Sequence, residues 1–293
     1  MEGWPISGWG GMQQVFIRGI RYLPTLPTVL SQILALLNDE MSSAQDLEKI
    51  ITNDQALSSK VLAVANSAYY GFRHQILTVS RAVVALGYEE IRNICLGASL
   101  MGFLHPSSFR NQTAAELLWL HSLTVAEATS VLSETLDKSQ RETAFTAGLL
   151  HDLGKVVLAA FFPEEVAGLK EFMIREKLGY REAEKALDMD HGQIGQALAE
   201  HWELPIQLAE VMGFHHDPHV ALLDYNLVGM AHVADYLGRM MGLGHSGNPD
   251  KPEVKRAVLN KLGVDSLLLG QFRNQLNARR MAIIGLWQTL VKN

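Results

Sequence analysis

Leu117-Leu118-Trp119-Leu120-His121, continued at helical spacing by Val125, Ala128 and Leu132, is the stretch that sets the reading of the whole chain. Apolar residues three and four apart share one face of an α-helix, and here that face carries a histidine. The same periodicity spreads outward. Val29, Ile33, Leu34, Leu36 and Leu37 predict a helix entered after Pro24 and Pro27. Ser43 with Asp46 reads as a capping box opening a helix through Leu47, Ile50 and Ile51. Further helices are expected over 57–65, stopping near Asn66-Ser67, and over 79–86, ending at Gly87. Period-two alternation with β-branched residues is sustained nowhere, and only nine prolines interrupt 293 residues. The expected fold class is all-α.

Two segments punctuate the helices. The stretch 103–113, with Pro106, Ser107, Ser108 and Asn111, is the expected boundary between two helical halves. The stretch 242–253, with Gly244, Gly247, Pro249 and Pro252, precedes one or two last helices that begin near Val254 and give no functional signal. This divides the chain into an N-terminal segment 1–22, a helical subdomain 23–110, a second subdomain 111–242, and C-terminal residues 243–293. Arg279-Arg280 is too short a charge run to carry meaning.

Composition narrows the function classes. A chain that is 48% hydrophobic and 19% charged is that of a folded protein. A net charge of −6 with pI near 6.0 supplies no global basic field, so neither nucleic acid nor a membrane surface is expected as a partner. The single Cys95 excludes an intramolecular disulfide and a thiolate zinc site, which fits a reducing compartment. The apolar runs 148–150 and 156–162 fall short of the roughly 18–20 residues of a membrane span. Residues 1–14 lack the basic and apolar regions of a signal peptide. A cytoplasmic location is expected.

Eleven histidines are the unusual feature. His121, taken alone, reads as a buried core histidine. His151-Asp152 sits between Ala147-Gly148-Leu149-Leu150 and Leu153-Gly154-Lys155, where a charge is costly unless it is paired or metal-bound. The alternative is that Asp152 caps a helix or pairs with Lys155. His215 and His216 would point about 100° apart on a helix, so they share a site only near a helix end, where Asp217-Pro218 places them; the alternative is an exposed loop pair. Asp235 is an acid on the otherwise apolar face around Ala231, His232, Val233 and Ala234. Imidazole and carboxylate without thiolate suit Fe, Mn, Ni or Zn. Asn66, Ser67, Tyr69, Tyr70 and Arg73 form a polar-aromatic group after a helix end, read as a packed turn rather than a binding patch.

Together these segments resemble the HD superfamily of metal-dependent phosphohydrolases, whose order of His, His-Asp and distant Asp falls on His121, His151-Asp152 and Asp235. The wider resemblance is to the HDOD domain, the HD-related output domain of bacterial signalling proteins. It rests on Leu23-Pro24-Thr25-Leu26-Pro27, on Asp54, Lys60 and Ala65-Asn66-Ser67-Ala68-Tyr69-Tyr70-Gly71, on Gly148-Leu149-Leu150-His151-Asp152-Leu153-Gly154-Lys155, on Asp190-His191-Gly192-Gln193-Ile194-Gly195, on Trp202-Glu203-Leu204-Pro205 and on His215-His216-Asp217-Pro218. It implies an HD-type helical bundle with an N-terminal helical subdomain, and a bacterial signal-transduction output role exercised through a signalling protein partner or a nucleotide ligand. Catalysis is not the expected main role. His191, His215 and His216 are placed like the additional histidines of HD-GYP cyclic-di-GMP phosphodiesterases. The resemblance thus implies one or two divalent or transition-metal ions, Fe, Mn or Ni ahead of Zn. One would lie on His121, His151, Asp152 and Asp235, the other on His191, His215 and His216 with Asp152 bridging.

Two departures count against cyclic-di-GMP hydrolysis. Asp217-Pro218-His219-Val220-Ala221-Leu222 holds no Gly-Tyr-Pro segment, and the position of an additional Glu ligand falls on Leu117. The alternative activity is a metal-dependent phosphohydrolase acting on a nucleotide or cyclic nucleotide. In that case Lys155 would be a phosphate contact; otherwise it is a solvated or snorkelling lysine. Asp190 would orient His191 or an outer-shell water, or else cap a helix.

Overall fold

The computed structural model describes residues 26–37, 39, 41–67, 69–105 and 109–292. The segment 1–22, the opening Leu23-Pro24-Thr25, Ala68 and the boundary residues 106–108 lie outside the described residues. Among the described residues there are sixteen α-helices and no strand. The all-α expectation holds.

Helices α1 (Thr28–Leu37), α2 (Ala44–Thr52), α3 (Gln55–Ala65) and α4 (Val79–Leu86) are short and wrap around α5 (Tyr88–Phe103). The ends of α2 and α4 follow the chemistry read from the sequence, and the Asp54 cap of α3 is added by the structure. Ser43 and Asp46 form the reciprocal capping box of α2, Asp54 Oδ1 accepts from Leu57 N at 2.7 Å to open α3, and α4 stops at Gly87 with φ 89°. The turn after α3 is packed: Asn66 exchanges hydrogen bonds with both backbone groups of Ile76, at 2.7 and 2.8 Å. Tyr69 donates to Glu127 and Tyr70 to Glu90.

The 25-residue α6 (Gln112–Leu136), capped by Asn111, is the axis of the molecule and is buried along most of its length. Around it lie α7 (Arg141–Leu150), α8 (Leu153–Phe161), α9 (Pro163–Glu176), α10 (Tyr180–Ala186), α11 (His191–His201), α12 (Ile206–Phe214) and α13 (Tyr225–Met241). The segment Thr143–Phe161, covering α7 and α8, is long and apolar enough to cross a membrane, a length the separate runs did not suggest. It is 83% buried within the protein and broken at His151-Asp152, which makes it a core segment.

Three helices follow the 242–255 loop rather than one or two: α14 (Arg256–Lys261), α15 (Ser266–Ala278) and α16 (Arg280–Lys292). Gly263 and the Asp265 cap separate the first two, and Arg279 the last two. They fold back over the molecule, α15 on α6 and α16 on α3, α5 and α6. Lys60 Nζ donates to Leu290 O at 3.0 Å, Arg280 to Met241 O at 3.0 Å, and Arg279 pairs with the buried Glu127 at 3.2 Å. The Arg279-Arg280 pair, given no meaning by the sequence, anchors this return.

Candidate metal centre

The seven candidate ligands come from five places in the chain and converge. His121 projects from the middle of α6, and His151 and Asp152 from the two-residue junction between α7 and α8. His191 is the first residue of α11, His215 and His216 follow the end of α12, and Asp235 lies on α13. The glycines flanking His151-Asp152 make the convergence possible. A Cβ on Gly148 would stand 2.6 Å from Val125 O in α6, and one on Gly154 would stand 2.0 Å from His191 O. Only bare backbone allows α7 to press on α6 and α8 on α11, so that the doublet faces both His121 and His191.

The ligand atoms form two sets joined by one carboxylate. His121 Nε2 is 3.1 Å from Asp235 Oδ1 and 3.8 Å from Asp152 Oδ2, and His151 Nε2 is 3.4 Å from Asp152 Oδ2. On the other side, Asp152 Oδ1 is 3.3 Å from His191 Nε2 and 3.5 Å from His215 Nε2, and His216 Nε2 is 3.1 Å from His191 Nε2. Within each set the donor atoms lie within 4.8 Å of one another. His121, His151, Asp152, His191 and His215 are at most 1% exposed. The exposed-pair alternative for His215-His216 therefore fails, while His121 is buried as the core reading has it and also lies 3.1 Å from Asp235.

His121 Nε2, His151 Nε2, His215 Nε2, Asp152 Oδ1 and Asp235 Oδ1 are buried and have no hydrogen-bond partner. Each such group costs on the order of 1–3 kcal/mol. Five of them divided between two adjoining ligand sets fit bound cations, and an all-N/O donor set fits a divalent transition metal. The tautomers suit that role: His151 Nδ1 bonds Gly148 O at 2.8 Å and His215 Nδ1 bonds Val211 O at 3.1 Å, which turns Nε2 inward.

The electrostatics are those of a crowded, buried site. Burial holds the His215 imidazole down to about 4 and the His216 imidazole well below its ordinary value. His121 is lowered by burial despite Asp235. For His151, burial is outweighed by Asp152 and Asp235, and its pKa rises. Burial would raise Asp152, but Lys155, His151 and His191 outweigh it and hold the carboxyl far below its usual range. Asp235 is likewise lowered, burial being overcome by His121 and His151.

Lys155 is not solvated. It is 6% exposed, with Nζ 2.7 Å from Asp152 Oδ2 and 5.5 Å from the centre of the Tyr180 ring. The sequence alternative of an Asp152–Lys155 pair is thus realised inside the cluster. Asp190 caps α11, accepting from Gly192 N at 2.9 Å, and pairs with Arg181; it does not orient His191. That contact belongs to Glu184, whose Oε1 is 2.6 Å from His191 Nδ1, with both residues fully buried. Sequence reasoning missed Glu184 because Arg181-Glu182-Ala183-Glu184-Lys185 reads as a solvated helix face. His232 is a structural histidine, with Nδ1 on His215 O and Nε2 accepting from Lys255 N.

A strap closes one side. Residues 242–250 cross from α13 to α10: His245 N donates to Leu117 O at 2.8 Å, Thr124 Oγ1 to Leu243 O at 3.3 Å, and Tyr180 N to Asp250 Oδ2 at 2.7 Å. The backbone of Leu117, where an additional ligand was sought, therefore anchors the strap, while its side chain is 40% exposed.

The HDOD domain model matches residues 23–218, two thirds of the chain and all seven candidates except Asp235. An uncharacterised protein of Treponema pallidum is 27% identical over 247 residues, 83% of this chain and 47% of its own length, so the chain spans about half of that curated relative. An HDOD domain protein of unknown function from Geobacter sulfurreducens has a similar structure, with TM-score 0.77, 23% identity, and coverage of 96% of this chain and 99% of that one. A protein of Shewanella amazonensis, provisionally named a phosphohydrolase, aligns with TM-score 0.75, 24% identity, and coverage of 94% and 97%. At these identities the two structures speak for the fold alone.

Proposed function

The chain belongs to the HDOD domain family, and on that premise we propose that it is a bacterial signal-transduction output module with a retained HD-type metal site. In this reading the helical half 23–110 and the return of residues 254–293 present the surface that a signalling partner recognises. The half 111–242 holds the ion. One or two divalent ions, Fe, Mn or Ni ahead of Zn, are held by His121, His151, Asp152 and Asp235 and by His191, His215 and His216, with Asp152 shared.

The burial of the donor set carries this reading. A hydrolase acting on a nucleotide has to bring a phosphate to its metal, whereas here five of the seven ligands are at most 1% exposed and the strap is tied to α6 and α10. A closed centre of this kind suits an ion that sets the shape of the module. A second reading, a metal-dependent phosphohydrolase, is favoured by Lys155, a buried cation beside the shared carboxylate where a phosphate oxygen would also be attracted. When bound, the metal would supply Lewis-acid stabilisation of the phosphoryl group; Lys155 would add a fixed positive charge.

Elemental analysis of the purified protein, beside a His151→Ala, Asp152→Ala double variant, tests the site. We expect about one to two transition-metal equivalents, lost in the variant. A folded wild type that takes up no Fe, Mn or Ni on reloading would overturn the metal site. Turnover of nucleotide or cyclic-nucleotide phosphoesters by the metal-loaded wild type, absent in the variant, would replace the output reading with the enzyme.

A further inference from the structure

Resting on the metal reading above, we infer that Glu184 is the positioning residue of the His191 half of the centre, giving that half the anionic support the other half draws from Asp235. The two halves differ in charge. The His121 and His151 half has a carboxylate of its own, Asp235, and a share of Asp152. The His191, His215 and His216 half has three imidazoles and Asp152 Oδ1, the other oxygen of that carboxylate facing His121 and His151. The first half thus carries a carboxylate more than the second, and a divalent ion in the second half gains from another source of negative charge.

Glu184 supplies it through the ring of His191. Its Oε1 stands 2.6 Å from His191 Nδ1, and this contact lies wholly out of solvent. The other two oriented ligands, His151 and His215, rest on neutral backbone carbonyls. A carboxylate behind Nδ1 keeps the ring proton there and leaves the lone pair on Nε2. His191 Nε2 lies 3.3 Å from Asp152 Oδ1 and 3.1 Å from His216 Nε2, three ligand atoms close enough to share one cation.

Glu184 is itself fixed. Arg181 Nη1 reaches its Oε2 at 2.6 Å and, with Nη2, grips Asp190 at 3.0 and 2.9 Å. Arg181 Nη1 also lies 3.4 Å from His191 Nδ1. Glu184, Asp190 and His191 form a third cluster of ligand types, but with a guanidinium seated on both carboxylates it serves as a brace and not as a third ion site.

The test uses Mn²⁺ and the full chain. Glu184→Gln keeps the size and an acceptor but removes the charge. Wild type is expected to bind two Mn²⁺ with an exchange-coupled EPR spectrum. Glu184→Gln should lose about 10–100-fold in affinity for one ion, leaving an uncoupled Mn²⁺ signal from the other. Asp235→Asn should weaken the opposite ion. Two ions bound by Glu184→Gln at wild-type affinity would overturn the inference while leaving the metal site standing. A wild type that binds no Mn²⁺ would overturn both. In metal-free wild type, ¹⁵N NMR should place the His191 proton on Nδ1; a proton on Nε2 alone would overturn the role of Glu184 without recourse to any variant.

Discussion

Asp152 has two roles that a single substitution confuses. It is the carboxylate shared by both ligand sets, and it is also the counter-ion of a lysine buried beside it. Replacing it by Asn removes the charge that Lys155 needs, and a buried ammonium left alone costs about 3–5 kcal/mol. Asp152→Asn should therefore be strongly destabilised in chemical unfolding of the metal-free protein. Adding Lys155→Met replaces the ammonium with an apolar chain of similar length that packs on Tyr180. Most of the lost stability should return, because no unpaired charge remains. Metal uptake should not return, because the shared ligand is still absent. A double variant as unstable as Asp152→Asn would show that the Lys155 pairing is not the source of the cost.

At the scale of elements, the buried Glu127 joins three parts of the chain: Tyr69 from the turn after α3, α6 itself, and Arg279 between α15 and α16. Burial lifts the Glu127 carboxyl above its ordinary value of 4.5, although Tyr69 and Arg279 pull the other way. A carboxyl with a raised folded-state pKa favours folding when protonated; this contribution is full below the unfolded value and is lost as pH rises through the folded one. Arg279→Ala raises that pKa further. Its destabilisation should be about 1–2 kcal/mol near neutrality, reduced from that of a fully buried pair because Arg279 is 38% exposed. The deficit should shrink toward about pH 4 and be largest near pH 8, as read from denaturation curves at the two values. An equal deficit at both would assign the loss to packing. The sequence was silent here for a physical reason. Caps and turn residues such as Ser43 and Gly87 act on neighbours a few positions away, so their spacing exposes them. The histidines stand out because imidazole is rare on an apolar face. Glu127, Glu184 and Arg279 are common surface residue types whose partners lie far off in the chain; only the packing of α6, α10 and the C-terminal return reveals them. The third C-terminal helix was missed because Arg256–Lys261 is too short for periodicity to register.

For the molecule as a whole, the candidate centre is a cross-link. Its ligands join α6, the α7–α8 junction, α11, the end of α12 and α13, and the core around them continues without a break from Leu30 to Leu290. An ion that binds only where these elements meet stabilises the folded chain by mass action, about 2.7 kcal/mol at a free concentration one hundred times its dissociation constant. In a chain of this size that is a shift of roughly 5–10 °C in melting temperature. Removing metal by chelation and dialysis should lower the midpoint by that order, and Mn²⁺ or Ni²⁺ should restore it. Because α16 packs on α3, α5 and α6 together, the shift should appear in one cooperative transition and not in a separate early melting of the helices from α6 to α13. The His151→Ala, Asp152→Ala variant should melt at one temperature with or without added metal. If chelation leaves the wild-type midpoint unmoved while metal is demonstrably lost, the ion is not a structural cross-link, and the five partnerless donor atoms are held in place by the packing of the helices alone.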